Sequence, residues 1–181
     1  MPTPKPVINL DRHDLSACVS DRAGIAQYNP HRGLFALLDR VIWHSDDLHK
    51  AIAVMRVTDD QFWVPGHIPG SPLLPGVLMI EAAAQLSSYL YYKRFQQDMF
   101  AGFTRIEDTI FRSRVVPGQD LYILASIQKA HIKRFVSLVQ GIVEDEIVFQ
   151  SKITGMIFPE MGKLELAPPD EAPADVPNTA P

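Results

Sequence analysis

The sequence has a single cysteine, no surplus of positive charge, no internal repeat and no uninterrupted apolar run long enough to span a bilayer. Each absence excludes something. One cysteine, Cys18, forms no intrachain disulfide and builds no cysteine metal site. That usage fits a reducing cytosol, so a cytoplasmic location is expected. Glu81 and Gln85 interrupt the one long apolar run, so no transmembrane helix is expected. The start, MPTPKPVINLD, offers no apolar stretch suited to a signal peptide. Lysine and arginine number 17 against 21 acids, with no basic domain or recognisable module, so nucleic-acid binding is not expected. His13 and His131 show no ligand spacing with any neighbour, and no metal is expected.

What is present suits one globular domain: 181 residues, 46% of them hydrophobic. The net charge of −4 is concentrated at the end of the chain. Residues 159–181 hold five acids (Glu160, Glu165, Asp170, Glu171, Asp175) against one base, Lys163, and six of the 15 prolines. This composition reads as a disordered acidic tail. Residues 1–28 read as an N-terminal arm, loose over 1–6, with a short helix over 21–28 capped by Asp21 and ended by Asn29-Pro30. The domain proper is expected over 29–158.

The chain is organised around residues 62–85, FWVPGHIPGSPLLPGVLMIEAAAQ. Its first half, with Pro65, Gly66, Pro69, Gly70, Pro72, Pro75 and Gly76, is a stiff irregular loop, because proline fixes backbone angles and glycine permits unusual ones. From Val77 the composition turns to Leu, Met and Ala, and Pro75-Gly76 stands where helices begin. A helix apolar on every side is buried, and a carboxylate such as Glu81 inside it is costly without a partner or a task. Arg40 is one candidate partner. Gln85, one turn on, shares the face of Glu81 and is suited either to orienting it or to packing.

Elsewhere the pattern is that of strands. Residues 36–43 and 50–58 read as an antiparallel pair around a polar turn. A strand is expected over 100–116 with a break near Glu107-Asp108, then a Pro117-Gly118 turn and a strand from Leu121 to Gln128. A hairpin follows over 135–157, turning at Glu144-Asp145-Glu146, with Ile147, Phe149, Ile153 and Ile157 on one face. Strands, one long buried helix and more strands make an α+β fold, an antiparallel sheet wrapped round a central helix.

Three blocks, NPHRGLFALLDRV, GHIPGSPLLPGVLMIEAAAQ and FRSRVVPGQ, resemble in order and spacing the FabZ-type (3R)-hydroxyacyl-acyl-carrier-protein dehydratases. The resemblance covers roughly residues 29–158. It implies a hotdog fold, a homodimer or trimer of dimers, no cofactor, and loss of water from a β-hydroxyacyl thioester carried by acyl carrier protein. It also implies that His67 and Glu81 are catalytic, facing each other across the dimer twofold, and that the Gly76 amide holds the thioester carbonyl. Val77 beside it, Ile68 after the histidine and Gln85 complete the expected substrate-binding set. His31 in the first block is read as a residue that stabilises its loop. Two departures from the family pattern stand out. Ile68 replaces a usual phenylalanine, and FAGFT puts Gly102 or Phe103 where a gating tyrosine is common.

The chemistry stands beside the resemblance. Elimination needs a base for the α proton and an acid for the departing hydroxide. Histidine has the right intrinsic pKa, and burial of Glu81 is expected to raise its pKa and keep it a proton donor. Amides at a helix start suit the charge that develops on the thioester oxygen. Two rivals are a hotdog thioesterase, which would release free thiol, and a non-catalytic acyl-carrier-binding subunit, in which the histidine or glutamate would be missing.

Overall fold

In chain order, residues 5–96 and 98–168, which the computed structural model describes, form β1 (Ser20–Asp21), α1 (Arg22–Ala26), β2 (Arg40–His44), β3 (Lys50–Arg56), α2 (Gly76–Phe95), β4 (Ala101–Phe111), β5 (Asp120–His131), β6 (Arg134–Val143) and β7 (Glu146–Ile157). The strands make one sheet in the order β1-β2-β3-β5-β6-β7-β4, antiparallel throughout. The α2 helix lies in the hollow of this sheet, as the resemblance implies. Its side chains are buried on nearly every side, from Leu78 and Met79 through Leu86 to Tyr92. Two of its polar side chains are satisfied individually: Ser87 Oγ donates to the Ala83 carbonyl and meets Ser137 Oγ, and Tyr91 donates to the Ile132 carbonyl. The helix stops at Gln96 in the left-handed conformation (φ 47°), with Lys93 and Arg94 in its last turn, where cations suit the helix dipole.

A second apolar cluster (Ile42, Ile52, Val54, Leu124, Ile142, Ile147) lies on the outer face of the sheet, closed by Ile8 and Leu10 of the arm. The arm is fastened from its first described residues: the Gln140 side chain accepts from the Val7 amide at 2.7 Å and donates to the Lys5 carbonyl at 3.2 Å. The expected break in β4 is a bulge between Glu107 and Ile110, with Asp108 at φ 52°. Glu144 and Asp145 both take positive φ in the β6–β7 turn, as a tight hairpin requires.

Three expectations are corrected. Residues 36–39 are not strand, because the Phe35 carbonyl and the Leu37 amide are taken by the Gln85 side chain instead of a sheet ladder. Ile147 does not share a face with Phe149 and Ile153. Ile142 pairs with Ile147 while Gly141 pairs with Phe149, so the extra residue Val148 flips the alternation. The tail is not free over its described part: residues 163–168 dock on the domain, and 169–181 lie outside the described residues, as do 1–4 of the arm.

Candidate active site

The loop before α2 is built from backbone turns that present one histidine. The His67 amide donates to the Trp63 carbonyl at 2.8 Å, Ser71 N to Ile68 O at 3.0 Å, and Leu74 N to Val115 O at 2.7 Å. The His67 ring is half-buried, and its Nδ1 lies 2.7 Å from the Leu73 carbonyl. A carbonyl only accepts, so Nδ1 carries the proton and Nε2 keeps its lone pair. The next residue, Ile68, sits at φ 63°, a strained conformation for a β-branched side chain, and is 47% exposed. Strain beside the histidine shows that the loop is held in place by its surroundings.

At the start of α2, Pro75 is the cap residue and supplies no side-chain acceptor. The first N–H groups of a helix have no intrahelical partner, and the amides of Gly76 and Val77 meet no backbone acceptor among the described residues. A Cβ at 76 would lie 2.8 Å from the Phe111 ring, so a larger residue there would displace that exposed ring. Val77 is 71% exposed, so this turn is open in the single chain.

Glu81 has two donors. Its Oε1 accepts from Gln85 Nε2 at 2.9 Å and lies 3.2 Å from His31 Nε2. Gln85 is itself fixed, since its Oε1 accepts from the Leu37 amide at 3.1 Å and its Nε2 also donates to the Phe35 carbonyl at 2.9 Å. Gln85 therefore orients Glu81. Burial pushes the Glu81 carboxyl up, but the bonds from His31 and Gln85 outweigh it and hold the group below the usual carboxylate range. The expectation of a raised pKa is thus corrected: the apolar helix neighbours are there, but so are two donors that the helix sequence does not reveal. Arg40 is not the partner, as its guanidinium donates to the Leu15 and Ala17 carbonyls.

His31, read from sequence as a loop residue, was the missed member of the site. Its Nδ1 is buried without a hydrogen-bond partner, while Nε2 faces the carboxylate. An ionised carboxylate only accepts, so Nε2 bears the proton. The available signal was its place in the first family block. Glu81 and His31 open into a cavity of about 350 Å³, whose walls include Pro30, Ser88, Phe100, Gly102, Phe103 and Phe158. Both Gly102 and Phe103, the two positions offered for the family's tyrosine, therefore line it. His67 is not among those walls within one chain.

Residues 29–152 match the model of the FabA-like domain, and the chain belongs to that family. It is 39% identical over 146 residues to a 3-hydroxyacyl-[acyl-carrier-protein] dehydratase FabZ of Rickettsia felis, covering 77% of this chain and 97% of that protein. A dehydratase of the same name from Rickettsia canadensis is 39% identical over 135 residues, covering 71% and 90%. Among solved structures, the dehydratase heterocomplex ApeI:P of Xenorhabdus doucetiae superposes with TM-score 0.63 at 18% identity, covering 74% of this chain and 90% of that one. The virulence protein Cj0977 of Campylobacter jejuni gives 0.60 at 15% identity, covering 80% and 95%. These structural likenesses establish the fold, which is the hotdog fold.

His31→Ala removes one of the two donors, so the Glu81 pKa should rise. The limb of the kcat/KM–pH profile that disappears in Glu81→Gln should then move to higher pH. An unmoved limb would mean that His31 does not bear on the carboxylate in solution.

Proposed function

We propose that this chain dehydrates (3R)-3-hydroxyacyl thioesters of an acyl carrier protein to trans-2-enoyl thioesters, in fatty-acid synthesis in the cytoplasm. The observation that carries this reading is a carboxylate, Glu81, held by two donors and opening into a largely apolar cavity of about 350 Å³. The relatives named FabZ support the reaction type.

His67 Nε2, with its lone pair free, takes the α proton. The electron pair of the broken Cα–H bond forms the Cα–Cβ double bond, and the Cβ–O bond breaks. Glu81 gives the departing hydroxide the proton that completes water. The amides of Gly76 and Val77 receive the charge that builds on the thioester oxygen, and Ile68 walls the reacting carbons. Glu81 is ionised in the empty site. An acyl chain that fills the cavity expels water and strengthens the raising effect of burial, so Glu81 gains its proton as substrate binds. No cofactor enters these steps.

The site is read as shared between two copies of the chain. Within one chain Glu81 meets His31 and Gln85, while His67 is turned to the Leu73 carbonyl. A second copy is supported by the exposed edge: Phe103, Ile106 and Phe111 of β4 are 42–47% exposed, next to the open Val77. An unpaired apolar edge strand of this kind calls for a partner. The assembly proposed is a homodimer, alone or as a trimer of dimers.

Glu81→Gln preserves the shape and cannot donate a full proton, so turnover of β-hydroxyacyl carrier substrates, followed by enoyl absorbance, should fall about a hundredfold or more. In the wild type the Glu81 pKa should be higher in the kcat profile, which reports the complex, than in kcat/KM. Free thiol release without enoyl product would instead mean thioester hydrolysis.

Carrier docking is the second expectation. Although the chain as a whole is acidic, residues 93–134 hold eight bases (Lys93, Arg94, Arg105, Arg112, Arg114, Lys129, Lys133, Arg134) against four acids (Asp98, Glu107, Asp108, Asp120), and the fold splits this surplus. Exposed Arg112 and Arg114 follow Phe111 near the helix start, whereas Lys133 sits by Ile132, whose carbonyl accepts from Tyr91 about 22 Å along the axis. Arg112→Glu should raise the KM for carrier-bound substrate, more so at low salt, and Lys133→Glu should raise it less. Equal effects, or none, would contradict docking at the helix start.

A further inference from the structure

The last described residues, 163–168, lie beyond the stretch that the family model matches and turn back over the loop that carries His31. Lys163 bridges to Met99 in antiparallel fashion, the Leu164 amide donates to the Asp98 carbonyl at 2.5 Å, and Lys163 Nζ reaches the Asp98 carboxylate at 2.6 Å. The Leu164 side chain packs against the main core. Three residues further on, this segment meets Arg32. Arg32 Nε lies 2.9 Å from the Ala167 carbonyl and 3.2 Å from that of Pro168, and Nη2 also donates to the Ala167 carbonyl at 2.5 Å. The rest of the guanidinium binds its own loop: Nη1 donates to the Asn29 and His31 carbonyls at 2.7 and 2.8 Å, and Nη2 to Ala26 at 2.8 Å.

We propose that residues 163–168 are a strap that positions the acid–base site: their carbonyls hold the Arg32 guanidinium, Arg32 fixes the loop around it, and the loop holds His31 against Glu81. The role given to Glu81 rests on the dehydratase reading above. Arginine suits the task because its planar fork engages carbonyls on two sides at once, which the point charge of lysine does not. Removing the strap leaves the Nε edge of a half-buried cation without acceptors. The guanidinium then turns toward water and takes with it the three carbonyls that shape the loop. The exposed Lys163–Asp98 pair adds little, so Leu164 and the backbone bonds hold the strap down.

The groups that face Glu81 among the described residues are few. His31 is the titratable side chain of the loop that touches it, while Arg32, the loop's cation, is turned to backbone carbonyls; α2 contributes Gln85 and Ser88, and Phe100, Gly102, Phe103 and Phe158 bring no charge. Losing the His31 contact is thus the change in ionisable surroundings that the strap controls within the chain. Burial then outweighs the remaining Gln85 bond, and the carboxyl moves up.

The test uses full-length Leu164→Asp, Arg32→Lys and the double variant. Glu81 is titrated by carbon-13 NMR of glutamate-labelled protein, its signal assigned by its loss in Glu81→Gln, and thermal midpoints are recorded. Both single variants should raise the Glu81 pKa by similar amounts, and the double variant no further, since all three break one linkage. The kcat should fall about tenfold with KM for the thioester little changed. Folded Leu164→Asp with an unmoved Glu81 titration overturns the strap, as do shifts that add in the double variant. Should Leu164→Asp fail to fold, Leu164→Ala serves with the same criteria. A wild type that forms no enoyl product would sink the dehydratase reading, while the titration would still decide the strap.

Discussion

A carboxylate on a buried helix constrains much of this molecule. Glu81 lies on α2 among residues chosen for packing, and an ionised group there needs donors that the helix itself does not supply beyond Gln85. The second donor, His31, comes from a loop 50 residues earlier in the chain. That requirement explains why residues 29–37 are irregular: Asn29 donates to the Gln85 backbone, Phe35 and Leu37 bind its side chain, and Arg32 ties the loop together.

The division of labour between the two candidate catalytic groups follows from what each is bonded to. His67 spends its Nδ1 proton on a carbonyl and is left as a base; Glu81 is bonded by donors and is left as an anion until substrate displaces water. The pair is thereby poised before binding with neither proton in its final place. In the proposed mechanism such a site would draw a proton in as the acyl chain enters, tying chemistry to occupancy of the cavity walled by Phe100, Phe103 and Phe158.

Much of this was legible in the residues, and the rest was hidden for identifiable reasons. The central helix, the Pro117-Gly118 turn and the break at Asp108 were announced by local composition, since each is a local preference. The Glu81–Gln85 contact follows from helical spacing alone. His31 was misread because its contact is long-range, and the sign of the Glu81 shift was misjudged for the same reason. Ile147 fell on the other face because one bulged residue, Val148, resets an alternation that the sequence displays as unbroken. The tail's charge and prolines concealed Leu164, one apolar residue whose packing is enough to seat a short segment.

The central claim, that His67 and Glu81 of different copies make one site, is tested most directly by complementation. His67→Ala and Glu81→Gln chains are unfolded, mixed in equal amounts and refolded, with subunit exchange verified. Random pairing makes about half the dimers mixed, each with one intact site of two, so activity should return to roughly a quarter of wild type. Activity that stays at the level of the separate variants, despite proven exchange, would place both residues of each working site in the same chain and contradict the account.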